Sequence, residues 1–103
     1  MIYRFRAPVW LHTGEAAWHF LTLPTEVADE IDLLTEDDRR GFGSVRVEVT
    51  IGSVTWRTSI FPDAGSESFV LPVKKPVRTA EGIEDGDEVD VVLVLVDRPS
   101  TIA

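Results

Sequence analysis

Apolar and polar residues alternate along much of the chain, with the two-residue period of strands that bury one face. The alternation predicts strands at residues 2–10, 17–23, 44–51, 54–61, 67–71 and 89–96. Pro8 is expected to place the first strand at a sheet edge or to end it, because proline has no amide hydrogen to donate. Gly52-Ser53 separates two alternating runs, which predicts a tight hairpin with a type II′ turn.

Helical spacing occurs twice, each time after a Leu-Pro pair. After Leu23-Pro24 it predicts a helix at residues 25–35, with Thr25 as its N-cap. The apolar positions of that helix are Val27, Ala28, Ile31 and Leu34. Residues 72–81 predict a second, short helix, which Gly82 ends in a left-handed conformation. Polar residues predict loops at 36–43 and 62–66.

The last predicted strand is apolar on both faces from Val91 onward. We therefore expect it to be central, either covered on both sides or inside a closed barrel. The two Leu-Pro pairs lie 48 positions apart, and each precedes a helix and a valine-rich strand. Either the chain contains a repeat with pseudo-two-fold symmetry, or two unrelated junctions share a common proline. Low residue identity between the halves leaves both interpretations open.

Composition bounds the class of protein. A chain of 103 residues forms one domain, which buries about two thirds of its unfolded surface. We assign residues 1–97 to that domain and 98–103 to a C-terminal tail. The predicted fold is mainly β: a small pseudo-two-fold barrel of about six to eight strands with two short helices.

Cellular context follows from what the sequence contains. The absence of cysteine excludes disulfides and thiolate metal sites. No apolar run approaches the roughly 20 residues of a membrane span, and the first residues lack the apolar run of a secretory signal, so we expect a cytoplasmic protein. A net charge of −8 disfavours nucleic acids and anionic membranes as partners.

Basic residues suggest a binding site at the second helix. Lys74, Lys75 and Arg78 are three of only ten basic residues, and they cluster at the start of this helix. Their charges, together with free backbone amides, are expected to attract an anion. Trp56 and Arg57 near the barrel mouth are candidate additional members. Alternatively, the cations pair with the carboxylates of residues 81–90 in a solvated network.

Other candidate chemistry is weaker. His12 and His19 lie within a predicted hairpin, but two ligands without a third make a poor metal site; we expect His19 to be partly buried and hydrogen-bonded. Asp85-Gly86-Asp87 lacks the spacing of a calcium loop and predicts a turn. Trp10, Trp18 and Trp56 either pack in the core or line a ligand cavity. With no catalytic motif present, we predict no catalytic residue, cofactor or metal.

The segment from Leu71-Pro72 through Gly82-Ile83 and Gly86-Asp87 to Val89 resembles the swapped-hairpin AbrB-like module. With Leu23-Pro24, the Ile51-Gly52 hairpin and residues 57–62, the chain over about residues 3–97 resembles an uncharacterised bacterial family, domain of unknown function 1905. That resemblance implies a double-split β-barrel, in which two AbrB-like halves are fused and helices lie across the barrel ends. It implies no established activity.

These observations favour a non-enzymatic domain that binds an unknown protein or a small anionic ligand. The alternative is an AbrB-like DNA-binding regulator or antitoxin, and an enzyme of unknown class ranks third. Monomer and homodimer are both open, because AbrB-like halves must dimerise to close a barrel, whereas a chain that carries both halves closes one alone.

Overall fold

The computed structural model describes residues 2–13, 17–35 and 43–96. In chain order the elements are β1 (Ile2–Thr13), β2 (Ala17–Thr22), α1 (Thr25–Thr35), β3 (Val45–Ile51), β4 (Val54–Asp63), β5 (Ser68–Pro72), α2 (Lys75–Glu81) and β6 (Glu88–Leu95). The predicted tail, 98–103, and all but Gly43 of the predicted loop at 36–43 lie outside the described residues. Among the described residues, neither helix is long and apolar enough to cross a membrane.

The six strands form a closed antiparallel barrel in the order β1-β2-β5-β4-β3-β6. Two long strands connect its two sheets. β1 pairs with β6 over residues 2–8 and with β2 over residues 9–13. β4 likewise pairs with β3 over residues 54–60 and with β5 over residues 61–63. The predicted mainly β barrel with two short helices is confirmed.

Two prolines lie where the long strands change partner. The prediction that Pro8 ends the first strand or places it at an edge is wrong, because β1 continues to Thr13. Pro8 is the last β1 residue paired with β6, and β2 takes over at Val9. The predicted loop at 62–66 also begins too early, since Pro62 pairs with Phe69 inside the sheet. A missing amide hydrogen is tolerated at such a changeover.

β6 is central, as its two apolar faces predicted. It lies between β1 and β3 and pairs with both. Val91 and Leu93 point inward and are fully buried, whereas Val92 and Val94 on the outer face are half-buried. β3 supplies the opposing inward residues, and its predicted alternation is confirmed by the burial of Val45, Val47, Val49 and Ile51.

The two helices pack at different places around the barrel. α1 inserts Ala28 and Ile31 into the core, and Glu30 of α1 accepts a hydrogen bond from the hydroxyl of Tyr3 at 3.2 Å. α2 buries Val77, and its Glu81 Oε2 accepts a 2.7 Å hydrogen bond from Ser53 Oγ in the β3–β4 turn. Each helix is therefore fixed by one buried face and one carboxylate contact to a strand end or turn.

The strand order is unchanged when the two halves are exchanged. Replacing β1 by β4, β2 by β5 and β3 by β6, and the reverse, reproduces the same cyclic order. The halves meet directly at β2–β5, where Leu21 is opposite Leu71 and both are fully buried. This symmetry favours the internal repeat over two unrelated strand-to-helix junctions.

Several local predictions agree with the backbone. Gly52 has φ +61°, and Glu67 is the only described non-glycine with positive φ, so the two-residue loop has the torsion signs of a type II′ turn. Gly82 ends α2 with φ +64°, and its amide donates to Arg78 O. α2 itself begins at Lys75 and not at Pro72, because residues through Pro72 remain in β5.

Candidate functional site

The predicted cations surround a small pocket between α2 and the β1–β2 hairpin. Lys74, Lys75 and Arg78 line this cavity of about 240 Å³ together with Trp18 and His19. The segment before α2 is fixed to β2, because Val73 N–H donates to His19 O at 2.9 Å. Arg78 is held in turn by a 3.1 Å hydrogen bond from its Nε to Val73 O. We call Lys74, Lys75 and Arg78 the cation cluster.

The alternative salt-bridge network does not form among the described residues. Glu81 bonds to Ser53, and Asp85 accepts a hydrogen bond from Leu11 N–H. Further along, Asp87 accepts one from Glu84 N–H, while Glu88 and Asp90 both pair with Arg6. No member of the cation cluster is ion-paired with a described carboxylate. The predicted alternative of a solvated network is thus not observed among these residues.

Arg6 pairs with two carboxylates of the acidic segment, residues 81–90. Its guanidinium lies 3.0 Å from Glu88 and 3.2 Å from Asp90 on the barrel surface. The hydrogen bonds that Arg6 donates, first to Glu88 and then to Asp90, raise the pKa of Arg6 above its ordinary value. Such an exposed network contributes little to stability, but it occupies two of the six carboxylates in residues 81–90.

Backbone amides contribute less to the site than expected. The amides of Val77 and Arg78 both donate to Lys74 O, at 3.0 and 3.1 Å, and Pro76 has no amide hydrogen. α2 is also only seven residues long. At this position the side chains of the cation cluster, and not backbone amides, are the groups that carry positive charge.

Trp56 and Arg57, the other predicted members, lie on opposite faces of β4. Trp56 is half-buried and packs against the core, and its buried Nε1 has no hydrogen-bond partner among the described residues. Arg57 is exposed on the outer face, where its Nε lies 3.5 Å from Glu48 Oε2 of β3. Neither residue lines the pocket of the cation cluster.

A larger groove adjoins this pocket on the outer face of β2, β5 and β4. Its volume is about 600 Å³, and its lining combines aromatic and cationic side chains. The aromatic members are His12, Trp18, Phe20 and Phe61, and the cations are Arg46 and Lys74. No described residue that lines the groove or the pocket is acidic.

The groove exists because β4 and β5 separate. Their pairing stops at Phe61 opposite Val70, beyond which β5 continues to Pro72 while β4 pairs only with β3. The gap that opens is bordered by Val70 and Pro72 on one side and by Ser59 and Phe61 on the other. Arg46 extends this border across β3, with its Nη1 3.4 Å from Ser59 Oγ.

Trp18 and Phe20 form one side of the groove, which we call the aromatic wall, and ring contacts hold them in place. Trp18 and Phe20 are nearly parallel, with centroids 5.9 Å apart and an interplanar angle of 7°. Trp10 packs behind Phe20 at 5.3 Å, and its Nε1 donates to Thr22 Oγ1 at 2.9 Å. Trp18 remains 47% exposed, and Phe61 on the β4 side of the groove is 39% exposed, so both rings are accessible to solvent.

Sequence reasoning did not identify Arg46, Phe61 and His12 as neighbours. One signal was present: strand alternation places Phe61 on the outward face of its strand, together with Arg57 and Ser59. A single exposed aromatic residue is common, however, and does not by itself mark a binding surface. Three residues in three different strands become neighbours only through the barrel pairing, which the alternation does not specify.

The two histidines do not form a metal site. His12 is opposite Trp18 and His19 is opposite Leu11, so the histidines lie on opposite faces of the hairpin. His12 faces the groove, whereas His19 is partly buried, as expected. Within the part of the chain that the structure describes, His19 Nδ1 has no hydrogen-bond partner, contrary to the expectation. No group of three or more potential metal ligands occurs among the described residues.

A separate cavity beside α1 has the opposite charge. Its volume is about 400 Å³, and its acidic lining residues are Asp29, Asp32, Asp63 and Glu67. The first-half junction between β2 and α1 thus has no counterpart of the cation cluster, since residues 24–35 contain no lysine or arginine. The cations at the second junction are consequently not a requirement of the fold.

Comparison with known proteins gives a match to one family and to no curated protein. A search of curated proteins found no match to the chain. Residues 5–93 match the family described as domain of unknown function (DUF1905), which covers every strand and both helices apart from the first residues of β1 and the last of β6. The chain therefore belongs to the DUF1905 family.

Proposed function

We propose that this domain binds a small anionic ligand through the cation cluster, without catalysing a reaction. The observation that carries the proposal is the convergence of Lys74, Lys75 and Arg78 on one pocket with no described carboxylate as an ion-pair partner. In a chain of net charge −8 this arrangement is unusual, because acidic side chains are abundant enough to neutralise it. An incoming phosphate or carboxylate supplies the missing counter-charge.

We also infer that the barrel is of the double-split type with AbrB-like halves. Support comes from the strand order, which is conserved under exchange of the halves, and from the two long strands that each belong to both sheets. The fused halves supply both walls of one barrel. This kinship alone assigns no activity, since one fold supports many functions.

Titration with inorganic phosphate, followed by backbone amide NMR, tests the proposal. We expect shifts at residues around the cation cluster and a loss of affinity of about tenfold or more in Lys74→Glu, since reversing a nearby charge costs more than about 1.4 kcal/mol. Arg78→Glu is expected to behave alike. Arg4→Glu is the matched control, because Arg4 is exposed and lines neither cavity.

An equal loss in Lys74→Glu and Arg4→Glu would show that only net charge matters, and the proposed site would be wrong. Nucleic acid is the alternative outcome, since cations beside exposed aromatic rings also suit single strands. It predicts retention on single-stranded DNA that falls steeply with salt and is lost in Lys74→Glu. Such retention, without phosphate binding, would replace the small ligand by a nucleic acid.

A further inference from the structure

The groove and the pocket of the cation cluster form one continuous surface. Trp18, Pro72 and Lys74 line both cavities, so the cations lie at one end of the aromatic groove. We propose that the anion is one group of a larger ligand, whose flat aromatic ring lies in the groove. This inference rests on the proposed function and specifies the class of ligand: an aromatic ring that carries a phosphate or a carboxylate.

The stacked rings of Trp18 and Phe20 offer a flat surface for a further ring. Trp18 and Phe20 already stack within 7° of parallel, and Trp18 is 47% exposed. A third flat ring can extend this stack on the open face of Trp18. Because Trp10 supports Phe20 and is itself held by Thr22, the wall is ordered before binding and loses little side-chain entropy.

β4 borders the groove on the side opposite β2 and β5. Phe61 makes this border apolar, and Arg46 adds a cation beside Ser59 on the same side. A ring between two such borders buries both of its faces. A volume of about 600 Å³ suits a ligand of this kind, since pockets for small molecules measure about 300 to 1,000 Å³.

The lining of the two cavities is chemically complementary to such a ligand. None of the described lining residues is acidic. Lys74 follows β5 and Arg46 lies in β3, so the two cations are on opposite sides of the gap between β5 and β4. An aromatic acid or a nucleotide presents the matching groups, an anion next to a flat ring. A ring without an anion leaves the cations unmatched, and an anion without a ring leaves the aromatic wall exposed.

Calorimetry with five probes separates these contributions. Adenosine 5′-monophosphate and 2-naphthoate carry a ring and an anion, inorganic phosphate and acetate carry the anion alone, and octanoate carries an aliphatic chain with a carboxylate. We expect at least one ring-bearing anion to bind about tenfold or more tightly than its ring-free counterpart, as stacking on an aromatic side chain supports. We expect 2-naphthoate to bind more tightly than octanoate.

The two probes with rings distinguish the source of the ligand. Preference for adenosine 5′-monophosphate indicates a nucleotide, preference for 2-naphthoate indicates an aromatic acid, and both results support the inference. If neither ring-bearing anion exceeds its ring-free counterpart, the aromatic ligand class is wrong. It is also wrong if adenosine 5′-monophosphate binds no more tightly than phosphate and octanoate binds as tightly as 2-naphthoate. Phosphate binding that still depends on Lys74 would then leave the proposed function standing.

Variants of two aromatic residues that line the groove provide the second measurement. Trp18→Ala and Phe61→Ala remove exposed rings, so the barrel core stays intact. We expect each to reduce the affinity of the ring-bearing anions toward that of the ring-free ones. Phosphate binding should stay unchanged in Phe61→Ala, because Phe61 lines the groove but not the pocket of the cation cluster. Leu33→Ala is the control, since Leu33 is an apolar residue of α1 that is 72% exposed and lines neither cavity.

The variants also separate the two proposals. If the ring-bearing anions still bind more tightly than the ring-free ones by the same factor in both Trp18→Ala and Phe61→Ala, the groove does not hold the ring. If instead the ring-bearing anions bind equally well in Lys74→Glu, the cation cluster is not the anion site, and the proposed function is wrong together with the joint site.

Discussion

Single residues with unusual backbone torsions sit where the chain reverses direction. Gly52 and Gly82 both have left-handed φ values, +61° and +64°, and they mark the β3–β4 turn and the end of α2. Their surroundings differ. A Cβ at position 52 would collide with the Glu81 carboxylate, whereas one at position 82 would meet no atom within 4 Å. The turn and the helix are thus fitted to each other through one side chain.

Three alanine substitutions separate torsional strain from this collision. Gly82→Ala is expected to lower the free energy of unfolding by about 1 kcal/mol, since alanine disfavours positive φ. Gly52→Ala is expected to cost about 2 kcal/mol, because Glu81 must also move and lose its bonds to Ser53. Gly65→Ala, with φ outside the left-handed region and no contact closer than 3.8 Å, is the control and should be neutral.

Urea denaturation of the three variants measures these differences. Equal losses in Gly52→Ala and Gly82→Ala would show that the Glu81 contact adds nothing to the turn. Adding Glu81→Ala to Gly52→Ala removes the colliding group, so the double variant should lose less than the sum of the single ones.

At the level of elements, local pattern predicted most of the strands and both helices. Residues 44–51 and 54–61 were predicted nearly to the residue, because alternation and a Gly-Ser turn are local properties. Pro8 and Pro62 were misassigned for the opposite reason. Each is tolerated inside a strand because a different neighbour takes over the pairing there, and the identity of that neighbour is set by residues far away in sequence.

The same distinction applies to the candidate site. Lys74, Lys75 and Arg78 are neighbours in sequence, so their clustering was predictable, and the structure places them around one pocket. The groove was not predictable. It depends on where β4 separates from β5, and no property of residues 54–72 taken alone specifies the point at which pairing stops.

β6 provides a test of element burial with one substitution type. Val91 is buried inside the barrel, and its neighbour Val92 is half-buried on the outer face. We expect Val91→Ala to lower the free energy of unfolding by about 2 to 3 kcal/mol, through lost burial and a residual cavity. Val92→Ala should cost about 1 kcal/mol or less. Similar losses in thermal or urea unfolding would contradict the inward orientation of Val91.

On the scale of the whole molecule, charge is unevenly distributed. The cavity beside α1 is lined by four acidic residues, while the pocket beside α2 is lined by three cations. A small ligand responds to charges within about 10 Å at ordinary ionic strength. The net charge of −8 therefore opposes long nucleic acids more strongly than it opposes a small anion at the cation cluster.

Cutting the chain in the β3–β4 turn tests whether the halves depend on each other. Of the six strand pairings, only β1–β2 and β4–β5 lie within one half, and the other four join the halves. We expect fragments 1–52 and 53–103 to lack the cooperative unfolding of the intact chain when separate. Mixing them should restore its circular dichroism spectrum.

An intact chain with two glycines inserted after Ser53 is the control, because it lengthens the turn without separating the halves. Cooperative unfolding of either fragment as a monomer would contradict the shared barrel. Folding of one fragment as a homodimer would instead support the AbrB-like equivalence of the halves.

The near-symmetry of the barrel has a consequence for how a bound molecule is oriented. A cleft at the seam of two identical halves would accept a guest in two equivalent poses. Here one half contributes Trp18 and Phe20, and the other contributes Phe61 and Lys74. Unlike walls make the two poses unequal, so we expect a ligand of the proposed class to bind in a single orientation.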